Sequence, residues 1–87
     1  MLLEGRIISG EFDEEMNEFS LQRVKNMSLE STIRENQLMA LYEYLKKHQK
    51  DTDGQVITLY DQLPLRLSQE EIQLLMRDLD QLRSLYQ

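Results

Sequence analysis

The sequence predicts a mainly α protein, a compact three- to four-helix domain to which residues 2–8 and 56–60 would add a short two-stranded β element. Two capping boxes, at Thr32 and at Ser68, each precede an apolar face with helical spacing. A third apolar set with that spacing lies nearer the N-terminus. A chain of 87 residues is sufficient for one domain, so residues 1–87 are expected to form a single small helical domain.

The first predicted helix covers residues 11–27. Phe12, Met16 and Phe19 recur at i, i+4 and i+7, which is the spacing of one helical face. Beyond Phe19 the apolar positions move sideways around the helix. We therefore expect this helix to bend or break near Ser20.

The second predicted helix covers about residues 32–49. Thr32 and Glu35 have the spacing of a capping box, in which the hydroxyl and the carboxylate satisfy free amides of the first turn. The apolar face that follows consists of Leu38, Leu41, Tyr42 and Leu45. Cations occupy the last turn, where they suit the exposed carbonyl groups: Lys46, Lys47, His48 and Lys50.

Two short segments follow the second predicted helix, and the later one allows two interpretations. Residues 51–55, "DTDGQ", predict a turn, because Asp and Gly favour tight backbone conformations. The β-branched run 56–60 predicts a short strand that pairs with residues 2–8. Alternatively, Thr58 caps a short helix that continues to Leu63.

The C-terminal segment predicts the clearest helix, which begins after Ser68. Ser68 and Glu71 form a capping box, and no Gly or Pro interrupts the residues that follow. A heptad seam then runs along one face: Ile72, Leu75, Leu79, Leu82 and Tyr86. Additional apolar residues widen the stripe, as in a helix that packs on its own domain. The stripe therefore predicts packing in the protein's own core, and the alternative is that the seam also contributes to self-association into a homodimer or to binding in a partner's groove.

Charge is distributed unevenly along the chain. The net charge is −6, and the acidic residues are concentrated in residues 1–20 and 51–87, whereas residues 21–50 are basic. Proteins that bind nucleic acid usually concentrate Lys and Arg where the phosphates lie. Nucleic acid is therefore a less favoured partner than another protein. The apolar runs are also too short to span a bilayer, so no membrane association is expected.

The residue types present argue against catalysis and against a bound cofactor. The chain has no Cys and a single His, His48, which lies in a lysine-rich helix end. A Cys/His pair is thus excluded, and the three glycines are isolated, so no phosphate-binding loop is formed. "DTDG" at 51–54 resembles the start of a calcium loop, but its glycine comes early and Gln62 replaces the bidentate Glu. We expect no enzyme activity, no metal and no cofactor, and the absence of Cys favours a cytoplasmic location.

The acidic segment 11–19 supplies the most specific functional hypothesis. Its acidic residues surround an apolar face, which is the composition of a helix that binds a partner with a basic groove. The candidate partner-binding residues are Phe12, Asp13, Glu14, Glu15 and Glu18. We therefore expect a non-enzymatic interaction protein with a regulatory or inhibitory role.

A DNA-binding regulator is the alternative hypothesis. A helix, an extended piece, a short helix at 58–64 and the C-terminal helix follow the order of a helix-turn-helix unit. The helix that would enter the major groove begins with Glu70 and Glu71, which phosphates would repel.

Overall fold

The first 34 residues form a four-stranded antiparallel sheet, and two helices follow it. The computed structural model describes residues 1–58 and 64–87, and these contain six strands and two helices. In chain order they are β1 (Leu2–Glu4), β2 (Ile8–Asp13), β3 (Glu18–Val24), β4 (Met27–Arg34), α1 (Glu35–His48), β5 (Gln55–Ile57), β6 (Leu65–Leu67) and α2 (Gln69–Arg83). The protein is therefore a small α+β domain, and the prediction of a mainly α, helical domain is wrong.

The predicted helix over residues 11–27 is instead the hairpin of β2 and β3. Phe12 lies directly opposite Phe19 in the ladder, and both side chains are buried. On β2 the neighbours of Phe12 are exposed, so this strand alternates between a core face and a solvent face. Met16 has the helical spacing but lies in the connecting loop and is 62% exposed. The hairpin is more stable than the predicted helix, because strand pairing buries both phenyl rings and satisfies the backbone hydrogen-bonding groups of both strands.

The sheet has the order β1-β2-β3-β4 and one buried face. The ladder between β2 and β3 shifts register after Ser9, and Gly10 lies in close contact with the neighbouring strand. A Cβ atom on Gly10 would come within 2.0 Å of the carbonyl oxygen of Ser20, so only glycine fits there. The opposite face of the sheet carries polar side chains, as is usual for an antiparallel sheet covered on one side.

Helix α1 begins at Glu35, three residues after the predicted cap. Thr32 lies within β4 and pairs with Ser20 of β3, so strand pairing extends through the residues that were expected to start the helix. The side chain of Gln37 instead reaches back and accepts the backbone N–H of Arg34 at 2.9 Å. Three of the four basic residues predicted for the last turn lie there, Lys46, Lys47 and His48, whereas Lys50 lies beyond the end of α1.

The predicted turn is confirmed for residues 51–54, with Gly54 at φ 74°, whereas Gln55 already belongs to β5. Strand β5 that follows pairs with β6, whereas β1 pairs with β2. The predicted pairing of residues 2–8 with 56–60 is therefore wrong for the described part of that range. The alternative short helix from Thr58 to Leu63 falls almost entirely on residues 59–63, outside the described residues.

Helix α2 packs on the sheet and on α1. Its predicted capping box is confirmed: Ser68 Oγ accepts the N–H of Glu71 at 3.1 Å, and the Glu71 carboxylate accepts the N–H of Ser68 at 2.9 Å. The buried apolar residues of all these elements form one core: Leu3, Ile7, Ile8, Phe12, Phe19, Leu21, Val24, Ile33, Leu38, Leu45, Ile57, Leu67, Ile72, Leu75, Met76, Leu79, Leu82 and Tyr86.

Candidate protein-binding surface

The loop between β2 and β3 presents a row of carboxylates on a defined backbone. Asp13 Oδ1 accepts the backbone N–H groups of Glu15 at 3.0 Å and of Met16 at 3.2 Å, which closes an Asx turn. Asn17 ends the loop at φ 55°, a left-handed conformation that Asn tolerates better than most residues. The loop is thus held by its own polar side chains.

The loop is also fastened to the C-terminal end of the chain. The Asn17 side chain donates to the carbonyl oxygen of Gln87 at 3.2 Å and accepts the Gln87 backbone N–H at 2.9 Å. Directly below, the rings of Phe12 and Tyr86 meet edge to face, with centroids 4.9 Å apart. These contacts fix the loop relative to the residues that follow α2.

Four exposed carboxylates surround a shallow depression of about 500 Å³ beside this loop. We refer to Glu11, Asp13, Glu14 and Glu15 as the acidic hairpin surface. The other residues that line the depression are Met1, Phe12, Ser20 and Gln22. The Met1 ammonium group also lies there and donates to the carbonyl oxygen of Phe12 at 3.0 Å. The depression is therefore lined by four carboxylates and one ammonium group together with apolar side chains, and the carboxylates outnumber the ammonium group.

None of these four carboxylates takes part in an ion pair among residues 1–58 and 64–87. Asp13 accepts two backbone amides, whereas the side chains of the other three make no hydrogen bond to the described residues. Close carboxylates without counterions repel one another. Binding of a partner that brings positive charge to this surface relieves that repulsion and is therefore favourable.

Exposed apolar side chains flank the carboxylates. Leu2 lies opposite Glu11 in the ladder of β1 and β2 and is 65% exposed. Met1 and Met16 are 59% and 62% exposed. Methionine side chains adapt to irregular partner surfaces, so this combination suits a protein partner better than a small ion.

The structure brings together three of the five predicted partner-binding residues. Asp13 ends β2, Glu14 and Glu15 lie on the loop that follows, and all three are exposed. Phe12 is 2% exposed and supports the loop from below. Glu18 forms an ion pair with Arg34, with 2.9 Å between Glu18 Oε2 and Arg34 Nε.

Sequence reasoning missed the contribution of Glu11, Met1 and Leu2. A signal for Glu11 is present in the alternation of "EFD", where an apolar residue lies between two acidic residues, as in a half-buried strand. The apolar residues reach the site only because β1 pairs with β2, and no local pattern in the sequence indicates that pairing.

The residues of the predicted self-association seam lie in the core of the chain. All five are at most 8% exposed: Ile72, Leu75, Leu79, Leu82 and Tyr86. The Tyr86 hydroxyl donates to the carbonyl oxygen of Ile33 at 2.6 Å. A second copy of the chain could contact this seam only if α2 detached from the rest of the domain.

The single histidine belongs to a surface network at the end of α1. His48 Nδ1 and the Gln55 side chain both bind Asp51 Oδ2, at 2.9 and 2.8 Å, and the Tyr44 hydroxyl donates to Gln55 at 2.7 Å. This network closes the turn that leads to β5. In the described part of the chain, no group of three or more His, Cys, Asp or Glu residues is arranged to hold a metal ion.

The comparisons with known proteins supply no family. No protein-family model, curated protein or solved structure gives a significant match to this chain. Among the described residues, neither helix has the length and apolar character needed to cross a membrane.

Proposed function

We propose that this protein acts without catalysis, by binding another protein through the acidic hairpin surface. The observation that supports the proposal is the set of four exposed carboxylates that lack basic partners among the described residues. A regulatory or inhibitory role follows from such binding, because a small domain that covers a partner's basic site blocks other ligands of that site. The absence of Cys supports a cytoplasmic setting.

The expected partner presents a basic groove with apolar residues. Lys and Arg side chains of the partner would bind Glu11, Glu14 and Glu15, and Met16 and Leu2 would pack against apolar groups next to those cations. Complementary charge accelerates encounter and selects the partner, whereas the apolar contacts add affinity. Binding is therefore expected to weaken as the salt concentration rises.

The surface is held in place before binding, which favours affinity. The Asx turn at Asp13 and the two hydrogen bonds between Asn17 and Gln87 order the loop in the free protein. A partner thus binds carboxylates whose backbone is already ordered, and less conformational entropy is lost on binding.

A charge-reversal experiment tests the proposal. The double variant Glu14→Lys and Glu15→Lys reverses two carboxylates that make no hydrogen bond or ion pair with the described residues, so the fold should persist. The matched control is Glu43→Lys with Glu70→Lys, which changes the net charge equally on exposed positions of the two helices. Circular dichroism of both variants checks the fold.

The readout is affinity for a partner captured from the host, purified and titrated by calorimetry. We expect the hairpin variant to lose affinity by at least about tenfold, or roughly 1.4 kcal/mol, while the control stays within about twofold. Equal losses in both variants would contradict a localised surface. Tight binding to duplex DNA that falls steeply with salt would instead favour a nucleic-acid partner.

A further inference from the structure

Among the described strands, β4 is the outer strand of the four-stranded sheet on the side opposite β1. It follows β3 as the last strand in the order β1-β2-β3-β4, and no described strand pairs with its outer side. The strand has eight residues and no proline. An edge strand presents backbone N–H and C=O groups that can pair with another strand. The Tyr86 hydroxyl binds the carbonyl oxygen of Ile33 and so fixes the C-terminal end of β4.

Two opposite charges lie on the solvent face of this edge. Glu30, Thr32 and Arg34 alternate with Ser31 and Ile33, and all three are exposed. Residues four positions apart in a strand are separated by about 13 Å, so Glu30 and Arg34 cannot pair with each other.

Both charges retain unused capacity for an ion pair. Glu30 takes part in no ion pair among residues 1–58 and 64–87. The Nε atom of Arg34 binds Glu18, but the two terminal nitrogens form no hydrogen bond with the described residues. The Arg34 side chain is 68% exposed, so a second carboxylate can approach it.

We propose that two copies of the chain pair through β4, antiparallel, about a two-fold axis at Thr32. Thr32 then faces Thr32 of the other copy, and each Glu30 faces Arg34 of the other copy. Two ion pairs form on the solvent face, and the two four-stranded sheets join into one sheet. This proposal is independent of the acidic hairpin surface, whose residues lie on β2 and its loop.

Charge selects this register over its neighbours. An axis at Ser31 places Glu30 opposite Thr32 and leaves both charges unpaired. An axis at Glu30 places the two Glu30 carboxylates opposite each other, which is unfavourable. The β3–β4 ladder shifts register between its Leu21 and Arg23 pairs, so the regular edge is short and the dimer is weak.

Disulfide trapping detects such a weak dimer, because the chain has no cysteine of its own. Residues that face each other in an antiparallel ladder have Cα atoms about 4.5–5.5 Å apart, which suits a disulfide. Thr32→Cys in an oxidised-glutathione buffer should therefore give a covalent dimer. The control is Ser20→Cys, an exposed residue of β3 that faces Thr32 within the chain and is one strand away from the edge. We expect roughly tenfold more dimer from Thr32→Cys than from Ser20→Cys.

Charge variants of Thr32→Cys then test the register. Glu30→Arg gives a chain with Arg at both positions, and Arg34→Glu gives a chain with Glu at both positions. Each variant alone should form several-fold less dimer, because like charges face each other. A mixture of the two variants should form mixed dimers at least as well as Thr32→Cys alone, since both facing pairs are then of opposite charge.

Mass spectrometry identifies the mixed dimer, and circular dichroism verifies that every variant is folded. Equal dimer from Ser20→Cys and Thr32→Cys would overturn the proposal. So would unchanged dimer formation in the two single charge variants, or a mixture that gives no preference for the mixed species.

Discussion

The Oδ2 atom of Asp78 accepts a hydrogen bond from the backbone N–H of Ile7 at 2.7 Å, although 71 positions separate the two residues. The same oxygen accepts the N–H of Ile8 at 3.1 Å, and Oδ1 accepts that of Arg6 at 3.0 Å. Asp78 is 3% exposed, so one buried carboxylate satisfies three consecutive backbone donors, which belong to the two residues before β2 and to its first residue. This contact joins α2 to the sheet.

Replacing Asp78 by alanine should destabilise the fold strongly. The change removes three charge-assisted hydrogen bonds and leaves buried N–H groups without an acceptor, at a cost of about 3 kcal/mol. Urea unfolding followed by circular dichroism measures the free energy of unfolding. Asp80→Ala is the control, because Asp80 forms a surface ion pair with Arg83 at 3.4 Å, and its loss should cost less than about 0.5 kcal/mol. Similar losses for the two variants would show that the three bonds contribute little.

Gly5→Ala should destabilise the fold through the same carboxylate. A Cβ atom on Gly5 would lie 2.3 Å from Asp78 Cγ, so the side chain of Asp78 or the loop must move. We expect a loss of roughly 1–3 kcal/mol. In the double variant with Asp78→Ala the clash is absent, so the combined loss should be smaller than the sum of the single losses. Additive losses in urea unfolding would contradict this coupling.

The C-terminal helix could be predicted because its signals are local. The hydroxyl of Ser68 and the carboxylate of Glu71 lie within one turn, and the apolar stripe that follows has a helical period over four turns. The position of this helix in the core was harder to predict, since the spacing of Leu75 and Leu82 suits a dimer seam as well as a domain core. The domain core is distinguished from a dimer seam only by the position of the sheet, whose buried residues form one core with these leucines.

The sheet was missed because apolar spacing within its hairpins also fits a helix, although each of its strands pairs with its neighbour in the chain. The spacing of Phe12, Met16 and Phe19 fits a helical face, yet these residues belong to two strands and a loop. The same applies to Thr32, whose capping-box spacing is overridden by pairing with Ser20. Whether a segment forms a strand depends strongly on the strand beside it. Whether a segment forms a helix depends less on residues outside the segment.

Only part of the candidate surface could be predicted from the sequence, because strand pairing brings the remaining residues to it. Asp13, Glu14 and Glu15 are contiguous, so their shared exposure was visible in the sequence. Leu2 and Glu11 become neighbours only through the ladder between β1 and β2.

Tyr86 should make the stability of the protein sensitive to alkaline pH. Burial, followed by the charges of Glu35 and Glu18, raises the pKa of Tyr86 from 10.0 to about 12. Because the folded-state pKa is the higher one, the folded state favours the neutral phenol. The associated stability is complete below pH 10 and is lost as the pH rises through about 12.

Tyr86→Phe tests that dependence. The variant loses the hydrogen bond to Ile33, so at neutral pH it should be about 1–2 kcal/mol less stable than the wild type. The difference should shrink as the pH rises from 10 to about 12, as measured by urea unfolding at each pH. A difference that stays constant over this range would mean that Tyr86 ionises equally in both states.

Glu71 should contribute stability that disappears in acid. The hydrogen bond from Lys25, with 2.8 Å between Nζ and Oε2, and next the bond from the backbone of Ser68, lower the pKa of Glu71 below 4.5. A lowered folded-state pKa means that the stability is present above the unfolded value and is lost as the pH falls through the folded value.

Glu71→Gln isolates the charge of Glu71, because the amide oxygen can still accept the Ser68 N–H. At pH 7 the variant should be less stable by about 0.5–1 kcal/mol, since the ion pair is largely at the surface. Thermal unfolding should give converging stabilities for the two proteins as the pH is lowered below 4.5. A gap that persists in acid would point to packing rather than charge.

Leu75→Asp combined with Leu82→Asp should unfold the protein. Both leucines are at most 1% exposed, and each buried carboxylate would cost about 4 kcal/mol or more, which exceeds the stability that a domain of this size can lose. The control is Gln73→Asp with Gln81→Asp, which adds the same charge to exposed positions of α2 and should keep the fold. Circular dichroism and light scattering distinguish the outcomes. A folded monomer from the leucine variant would mean that these side chains form an interface between copies, in conflict with their burial within one chain.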